Sequence, residues 1–366
     1  MRLNLLFINS ITMYGGGEVW LINAMKEFIR RGHNVTLICR PDAKILYYSK
    51  QNNIDIMTLK MRGDVDPFTI IKMAGILRRK KIDIILTNVE KELRISGIAA
   101  LFTGVKAVIN RKGVDLPIKN RLQYRFSYNK LASVIVTNSQ ATKKTLLKNA
   151  SWLNQDKISV IYNGIDPNLF SEENTRDLRD ELGIPQQFPL IGFVGRLNVQ
   201  KGIVYILEAF EQIFEKIPSA QLLMVGSGDL KNEIEAIAKE KGFSRNIHLI
   251  GFRDDIPNVM RTIDLLILPS VWEGFGIVLI EAMAAEKPCV TTNISSMPEI
   301  VIDGKTGYVV PPKDANKLAD AIINLIHNPS LAIKMGVEGK KIVQKKFTLQ
   351  KMISRYEQLF YEYMDS

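Results

Sequence analysis

Histidine and cysteine are scarce. The 366 residues hold three histidines, His33, His248 and His327, and two cysteines, Cys39 and Cys289. Neither type clusters, so no zinc site built on Cys and His is expected. The cysteines lie far apart, each in an apolar run. That excludes a disulfide framework and fits two buried thiols in a reducing compartment. No apolar run reaches the roughly 18 residues of a membrane span. The opening "MRLNLLFIN" is too short for the apolar region of a signal peptide and reads as a first strand. The expected location is the cytoplasm, with the inner face of the cell membrane as a place of work. Nothing suggests disorder or low complexity. A content of 46% hydrophobic and 24% charged residues is ordinary for a soluble globular chain, and the length suits two domains.

The net charge of +11 is unevenly spread. Residues 1–170 carry 27 Lys and Arg against 12 Asp and Glu, or +15, and the remainder carries 22 against 26, or −4. A strongly basic first half points to an anionic partner: a phospholipid surface, a phosphorylated glycan or a nucleic acid. A simple solubility field is the alternative. No zinc finger, basic zipper or RNA-binding motif supports nucleic acid.

Short β-branched runs alternate with longer helical patterns. Strands are predicted over 3–8, 34–39, 54–58, 82–87, 105–110, 133–137 and 157–161, with helices over 16–31, 67–80, 91–102, 120–131 and 139–149. The strands are continuous apolar runs, which is how a parallel sheet covered on both faces reads. Residues 166–188 break the rhythm with a polar, acidic, proline-containing stretch, read as a linker with a short helix near 173–182. Strands then resume over 190–194, 220–225, 246–250, 264–268 and 288–292, with helices near 201–216, 229–241, 275–285 and 314–327. An amphipathic helix over 348–364 follows the second sheet. The expected class is α/β: domains 1–165 and 189–345, each doubly wound, and a C-terminal piece 346–366 packing back on the first domain. Two such domains leave a cleft between the carboxyl ends of their strands, where ligands bind.

Candidate chemistry falls at those strand ends. Gly15, Gly16 and Gly17 stand between the first strand and first helix, where backbone can approach an anion. A dinucleotide fingerprint wants spaced glycines and an acid at the second strand's tip; here the glycines are contiguous and the tip carries Arg40. A tight turn is the bland alternative. In "FVGRLNVQKGI", Arg196 and Lys201 follow a strand, and a departing diphosphate needs such cations. The turn "VGSGDL" contributes Gly226. In "SVWEGFGIVLIEAM", Glu273 precedes a helix whose first amides, Gly274, Phe275, Gly276 and Ile277, can seat phosphate. Glu281 lies about one turn inside, within reach of a ribose diol. Two acids there are tolerable only if the cations neutralise a diphosphate between them. "RGDVDPF" holds Asp64-Val65-Asp66, which resembles a metal-binding Asp-x-Asp pattern. Asp66 before Pro67 is more simply an N-cap.

Together "GGGE", "GRLNVQKG", "VWEGFGIVLIEAMA" and "SSMPEIVIDGKTGYVVPP" resemble the retaining glycosyltransferases of family 4, across essentially the whole chain. The resemblance implies the GT-B fold: two Rossmann-like domains facing a central cleft. It implies a nucleotide-diphosphate sugar, here expected to be a UDP-sugar, as co-substrate and no other cofactor or metal. Amides around Gly16 would approach the donor phosphate. Arg196 and Lys201 would bind the diphosphate, Glu273 the donor sugar and Glu281 the ribose. Glu299, after Pro298, would lie near the nucleotide, and Arg253 in "GFRDD" falls where the base meets backbone. Many relatives carry a histidine after a first-domain strand; this chain has Asn110, Arg111 and Lys112 there, so that role does not transfer. Arg111 and Lys112, with the strand-end residues Asn88, Asn138 and Asn163, are acceptor-side candidates, the basic pair being either an anion site or solvated charge. The expected acceptor is a hydroxyl on an anionic cell-envelope glycolipid or polysaccharide precursor of lipopolysaccharide type. A non-catalytic nucleotide-sugar sensor, an epimerase and a phosphorylase are the rival readings.

Overall fold

The computed structural model describes residues 1–61, 63–171 and 178–365. The chain folds into two compact units: Met1–Asn163 with Leu349–Ser366, and Gly164–Thr348.

Unit 1 is built on seven strands, β1 (Asn4–Asn9), β2 (Asn34–Cys39), β3 (Asp55–Thr58), β4 (Ile84–Thr87), β5 (Ala107–Lys112), β6 (Val134–Thr137) and β7 (Ile158–Val160). Its helices are α1 (Gly16–Arg30), α2 (Ile45–Gln51), α3 (Pro67–Arg79), α4 (Glu90–Ala100), α5 (Leu122–Phe126) and α6 (Gln140–Asn149). The sheet order is β3-β2-β1-β4-β5-β6-β7, parallel throughout. Successive residues of β1, such as Phe7 and Ile8, feed separate apolar cores on the two faces. That explains why the strands lack alternation.

After a 3-10 turn at Pro167–Phe170, unit 2 carries α7 (Leu178–Leu182); of the helix expected near 173–182, residues 173–177 lie outside the described residues. Its strands are β8 (Leu190–Val194), β9 (Gln221–Val225), β10 (Ile247–Gly251), β11 (Leu265–Leu268), β12 (Cys289–Thr292) and β13 (Gly307–Val310). Between and after them run α8 (Ile203–Lys216), α9 (Lys231–Glu240), α10 (Ile256–Thr262), α11 (Ile277–Ala284), α12 (Met297–Ile300), α13 (Ala315–His327) and α14 (Pro329–Lys346). The order is β10-β9-β8-β11-β12-β13, again all parallel. The sequence reading assigns no helix to 329–346, a stretch that carries Gly336 and Gly339. Both instead allow close packing: a Cβ on Gly336 would lie 1.8 Å from the Glu286 carbonyl oxygen, and one on Gly339 would lie 3.3 Å from Met283 Cβ.

The last helix, α15 (Leu349–Met364), belongs to unit 1. Trp20 Nε1 points at Met352 Sδ (3.0 Å), Phe28 stacks on Phe360, and Glu357 pairs with Arg31 and His33. Among the described residues no helix is long and apolar enough to cross a membrane.

In each sheet the winding direction reverses once, between β1 and β4 in unit 1 and between β8 and β11 in unit 2. Loops leaving adjacent strands there diverge to opposite faces, which opens a crevice at the carboxyl edge.

Candidate active site

In unit 2, Arg196 and Lys201 follow β8, while Glu273 and Glu281 follow β11. All four therefore flank the reversal point. The two loops are tied together. Val271 N donates to the Gln200 carbonyl (2.8 Å), and Gln200 Nε2 donates to the Trp272 carbonyl (3.1 Å). Asn198 caps the tight turn Val199–Lys201, and Gly202 ends it at φ +71°. A Cβ on Gly202 would lie 2.1 Å from the Pro269 carbonyl oxygen, so only glycine lets this turn nest against the end of β11. That contact delivers Lys201 to Glu273, and the two form an ion pair.

Glu273 is buried, with both oxygens occupied. Oε2 accepts from Lys201 and more distantly from Ser270 Oγ (3.4 Å), while Oε1 accepts from its neighbour's amide, Gly274 N (3.0 Å). The Gly274 amide is thus spoken for, which corrects the expectation that it joins the phosphate seat. Phe275 is a core anchor, its ring 6.1 Å from Phe347. Of the amides expected to seat phosphate, those of Gly276 and Ile277 remain as candidates, where α11 starts. Gly276 has φ +78° there, a conformation that favours glycine. Ser296, a residue the sequence reading did not single out, donates to the Phe275 carbonyl (3.0 Å) and holds this loop from the start of α12.

Glu281 lies one turn into α11, half-buried, and its carboxyl makes no hydrogen bond among the described residues. Burial pushes it up to about 7. Arg196 is exposed and has no ion-pair partner among the described residues. Arg253 is committed elsewhere, in a two-pronged pair with Asp255 (2.7 Å each) and a contact to Glu181 (3.2 Å). Gly226 has a packing cause: at φ +137°, a Cβ would meet the Gly195 carbonyl oxygen at 1.9 Å. Glu299 sits half-buried on α12.

Unit 1 treats its glycines differently. Gly15 is the extended N-cap of α1, and Glu18 reaches back to its amide (3.0 Å) while accepting from Asn9 Nδ2 (3.1 Å). Gly16 and Gly17 are exposed, lie outside the left-handed region, and have open space where a Cβ would stand. Nothing in the fold requires glycine at these two positions, which leaves the helix's first amides open to an anion.

A feature not legible in the sequence pins this edge. Glu92 is fully buried and accepts from Ser10 N (2.6 Å), Ser10 Oγ (2.9 Å), Asn88 N (2.8 Å) and Val89 N (3.2 Å). It ties the tips of β1 and β4 together, and burial raises its pKa.

The basic pair that ends β5 is neither solvated charge nor an open anion site. Arg111 is buried, its guanidinium 3.8 Å from the Trp20 ring centroid, bonded to Asn163 Oδ1 (3.0 Å), Asn88 Oδ1 (3.4 Å) and Tyr356. Lys112 pairs with Glu90, which also accepts from Tyr128 Oη (2.9 Å). Burial opposes ionisation of Glu90, but Lys112 outweighs it and holds the carboxyl at about 2. Asn138 is buried, donating to the Gly113 carbonyl (3.0 Å) and accepting from Thr142 Oγ1 (3.0 Å). Asn88, Arg111, Lys112, Asn138 and Asn163 thus form the internal framework of the strand edge. Asp64 pairs with Arg94, and Asp66 caps α3 at Phe68 N (3.2 Å), so both are employed locally.

Comparison with known proteins matches residues 174–342 to the family model described as glycosyl transferases group 1. Residues 14–169 match that of glycosyltransferase family 4. The chain is 27% identical over 308 residues to the UDP-Gal:α-D-GlcNAc-diphosphoundecaprenol α-1,3-galactosyltransferase of Escherichia coli, spanning 81% of this chain and 79% of that protein. Among solved structures it resembles a glycosyltransferase from Rickettsia africae, with TM-score 0.89, 22% identity and 99% of both chains covered. It also resembles Anabaena HepE in complex with UDP, with TM-score 0.87, 23% identity, and 98% of this chain and all of that one covered.

Proposed function

Because the chain belongs to the family 4 glycosyltransferases and has their GT-B fold, we propose that it moves a sugar from a UDP-sugar to a hydroxyl of a cell-envelope glycolipid or polysaccharide precursor, with retention and without a metal. The observation that carries this reading is that Glu281, a carboxyl, and Arg196, a cation, each lack a hydrogen-bonded or ion-pair partner among the described residues, and that they follow the two strands flanking the reversal point of a parallel sheet. A desolvated carboxyl in want of donors suits a ribose diol. An unpaired guanidinium suits a diphosphate, which it can grip through two oxygens. The E. coli relative is named for a UDP-sugar donor and a lipid-diphosphate acceptor, and HepE binds UDP.

In this mechanism the C1–O bond to the diphosphate breaks as the acceptor oxygen bonds to C1 from the same face. The acceptor's proton passes to the departing phosphate oxygen. Arg196 and Lys201 stabilise the negative charge that builds there, the task a metal would otherwise take. Glu273, fixed by Ser270 and the Gly274 amide, orients the donor sugar. Glu281 grips the ribose and leaves the reacting centre alone.

The test begins with melting curves in UDP-, GDP- and ADP-sugars. A UDP-sugar should raise the melting temperature, since a ligand selective for the native state stabilises it. Absence of any nucleotide-dependent rise would sink the donor assignment. Transfer to a lipid-linked acceptor in excess EDTA, with the product's anomeric configuration read by NMR, then tests the rest. An inverted product would remove retention, and loss of transfer in EDTA would remove metal independence.

A further inference from the structure

The loop between β1 and α1, residues 10–15, belongs to no helix or strand, yet a buried carboxylate fastens it at each end. At its start, Oε1 of Glu92 on α4 accepts from both N (2.6 Å) and Oγ (2.9 Å) of Ser10. At its end, Oε2 of Glu18 on α1 accepts from Gly15 N (3.0 Å), while Oε1 accepts from Nδ2 of Asn9 (3.1 Å), the last residue of β1. The middle is held as well. The Thr12 carbonyl accepts from Lys44 N (3.1 Å), and the Tyr14 ring stacks on Tyr48 with centroids 3.9 Å apart. The chain that leads into the open amides of Gly16 and Gly17 is therefore fixed at its start, middle and end.

Burying a carboxylate is unfavourable unless a cation or several donors compensate it. Neither Glu18 nor Glu92 is in an ion pair among the described residues, and Arg111 acts on Glu18 only from longer range. Beside a seat for phosphate, a negative charge also opposes the ligand. What Glu18 supplies is geometry. Its two oxygens join the end of β1 to the first turn of α1 across the loop. They also occupy the Gly15 amide, which directs an anion to Gly16 and Gly17. Asn9 lets geometry and charge be separated. Its Nδ2 faces Glu18 because a carboxylate only accepts, and its Oδ1 has no hydrogen bond among the described residues. With glutamine at position 18, Asn9 can turn its amide over. Gly15 N then donates to the glutamine oxygen, and the glutamine NH₂ donates to Asn9 Oδ1. Both ties survive without the charge.

We propose that Glu18 is a positioning residue for sugar transfer: through Gly15 and Asn9 it sets the orientation in which the first amides of α1 meet the donor's phosphate, and it acts by its hydrogen bonds rather than its charge. The inference rests on the transferase reading of the site. The test follows UDP release from UDP-glucose or UDP-galactose, whichever raises the wild-type melting temperature more. Release by hydrolysis breaks the same C1–O bond, so it reports on the phosphate seat with water as the acceptor. Wild type, Glu18→Gln and Glu18→Ala are compared well below all three melting temperatures. Glu18→Gln should keep the wild-type kcat, with a KM for the donor unchanged or lowered. Glu18→Ala should lose roughly ten- to a hundredfold in kcat, the scale of a misplaced binding group. A role confined to stability would leave both variants at the wild-type kcat, since all three are folded in the assay, and that result would overturn the proposal. An equal loss in both variants would overturn it too, because the charge would then be the active feature. The melting shift of wild type separates the two readings. With that shift present, wild-type kcat in Glu18→Ala sinks this inference alone; with it absent, the transferase reading falls and this one falls with it.

Discussion

Lys201 and Glu273 stand 72 residues apart in sequence and form an ion pair that fastens the loop after β8 to the loop after β11. The pair is mostly buried, with side-chain exposures of 16% and 11%. Removing one member leaves a desolvated charge behind, which is costlier than removing both. Lys201→Ala and Glu273→Gln should each destabilise the protein, and the double variant should be less destabilised than their sum. A coupling of about 1–3 kcal/mol is expected from a denaturant double-mutant cycle. Additive losses would mean that the pair does not hold the loops. Both single variants should also lose turnover, because diphosphate must draw on the same lysine.

Arg196 is the contrasting cation, exposed and unpaired among the described residues. Its Ala variant should keep the melting temperature of the parent. Turnover with saturating donor should fall by about 10²–10³-fold, the scale of losing one electrostatic donor in an active site. Near-normal turnover would remove it from the diphosphate.

Much of this architecture is legible in the sequence, for a physical reason. Parallel strands buried on both faces are continuous apolar runs, and β1, β4, β8 and β11 read that way. Elements whose cause lies elsewhere do not read. Strand β13 is four residues long and begins at Gly307, where a Cβ would lie 1.9 Å from the Cys289 carbonyl oxygen. Helix α14 hides behind glycines that exist for close approach. The two glutamates of the candidate site are legible because they lie in one short stretch, Glu273 in the loop after β11 and Glu281 on α11 behind it. Partnerships across many residues are not: Glu92 with Ser10, Lys112 with Glu90 and Arg111 with Trp20 need the folded chain. A basic pair next to an active edge looks like a binding site until its counter-charge and aromatic lid are seen.

Glu281 should respond to pH in two opposing ways. Its native pKa, about 7, lies above its ordinary value of 4.5, so the native state holds a proton that the unfolded chain has lost. Stability should therefore fall as pH rises from 4.5 through 7, by about 3 kcal/mol in all. Glu281→Gln removes this cost, so without ligand the variant should melt higher than wild type at pH 8 and nearly together with it at pH 4.5. Nucleotide binding should show the reverse ranking. The ribose hydroxyls donate best to the ionised carboxylate, so wild-type affinity for UDP should weaken by up to about tenfold between pH 8 and pH 6. The Gln variant should bind UDP more weakly at pH 8 and with little pH dependence. Calorimetric titrations at the two pH values decide this. Equal UDP affinity in both proteins would remove Glu281 from the ribose.

Gly16 and Gly226 separate a glycine kept for a ligand from one kept for the fold. At Gly226 the backbone is left-handed and a Cβ would meet the Gly195 carbonyl oxygen at 1.9 Å. Gly226→Ala should cost about 2–4 kcal/mol, combining backbone strain and overpacking. At Gly16 a Cβ meets nothing within 4 Å, and the residue is helical. Gly16→Ala should therefore leave stability unchanged or raise it by up to about 1 kcal/mol, as alanine does in a helix. If the open amides of α1 receive the donor's phosphate, the added methyl stands in its approach. Activity should then fall at least tenfold in kcat/KM without loss of fold, while Gly226→Ala loses stability first. A Gly16→Ala enzyme with full activity would reduce "GGG" to a turn.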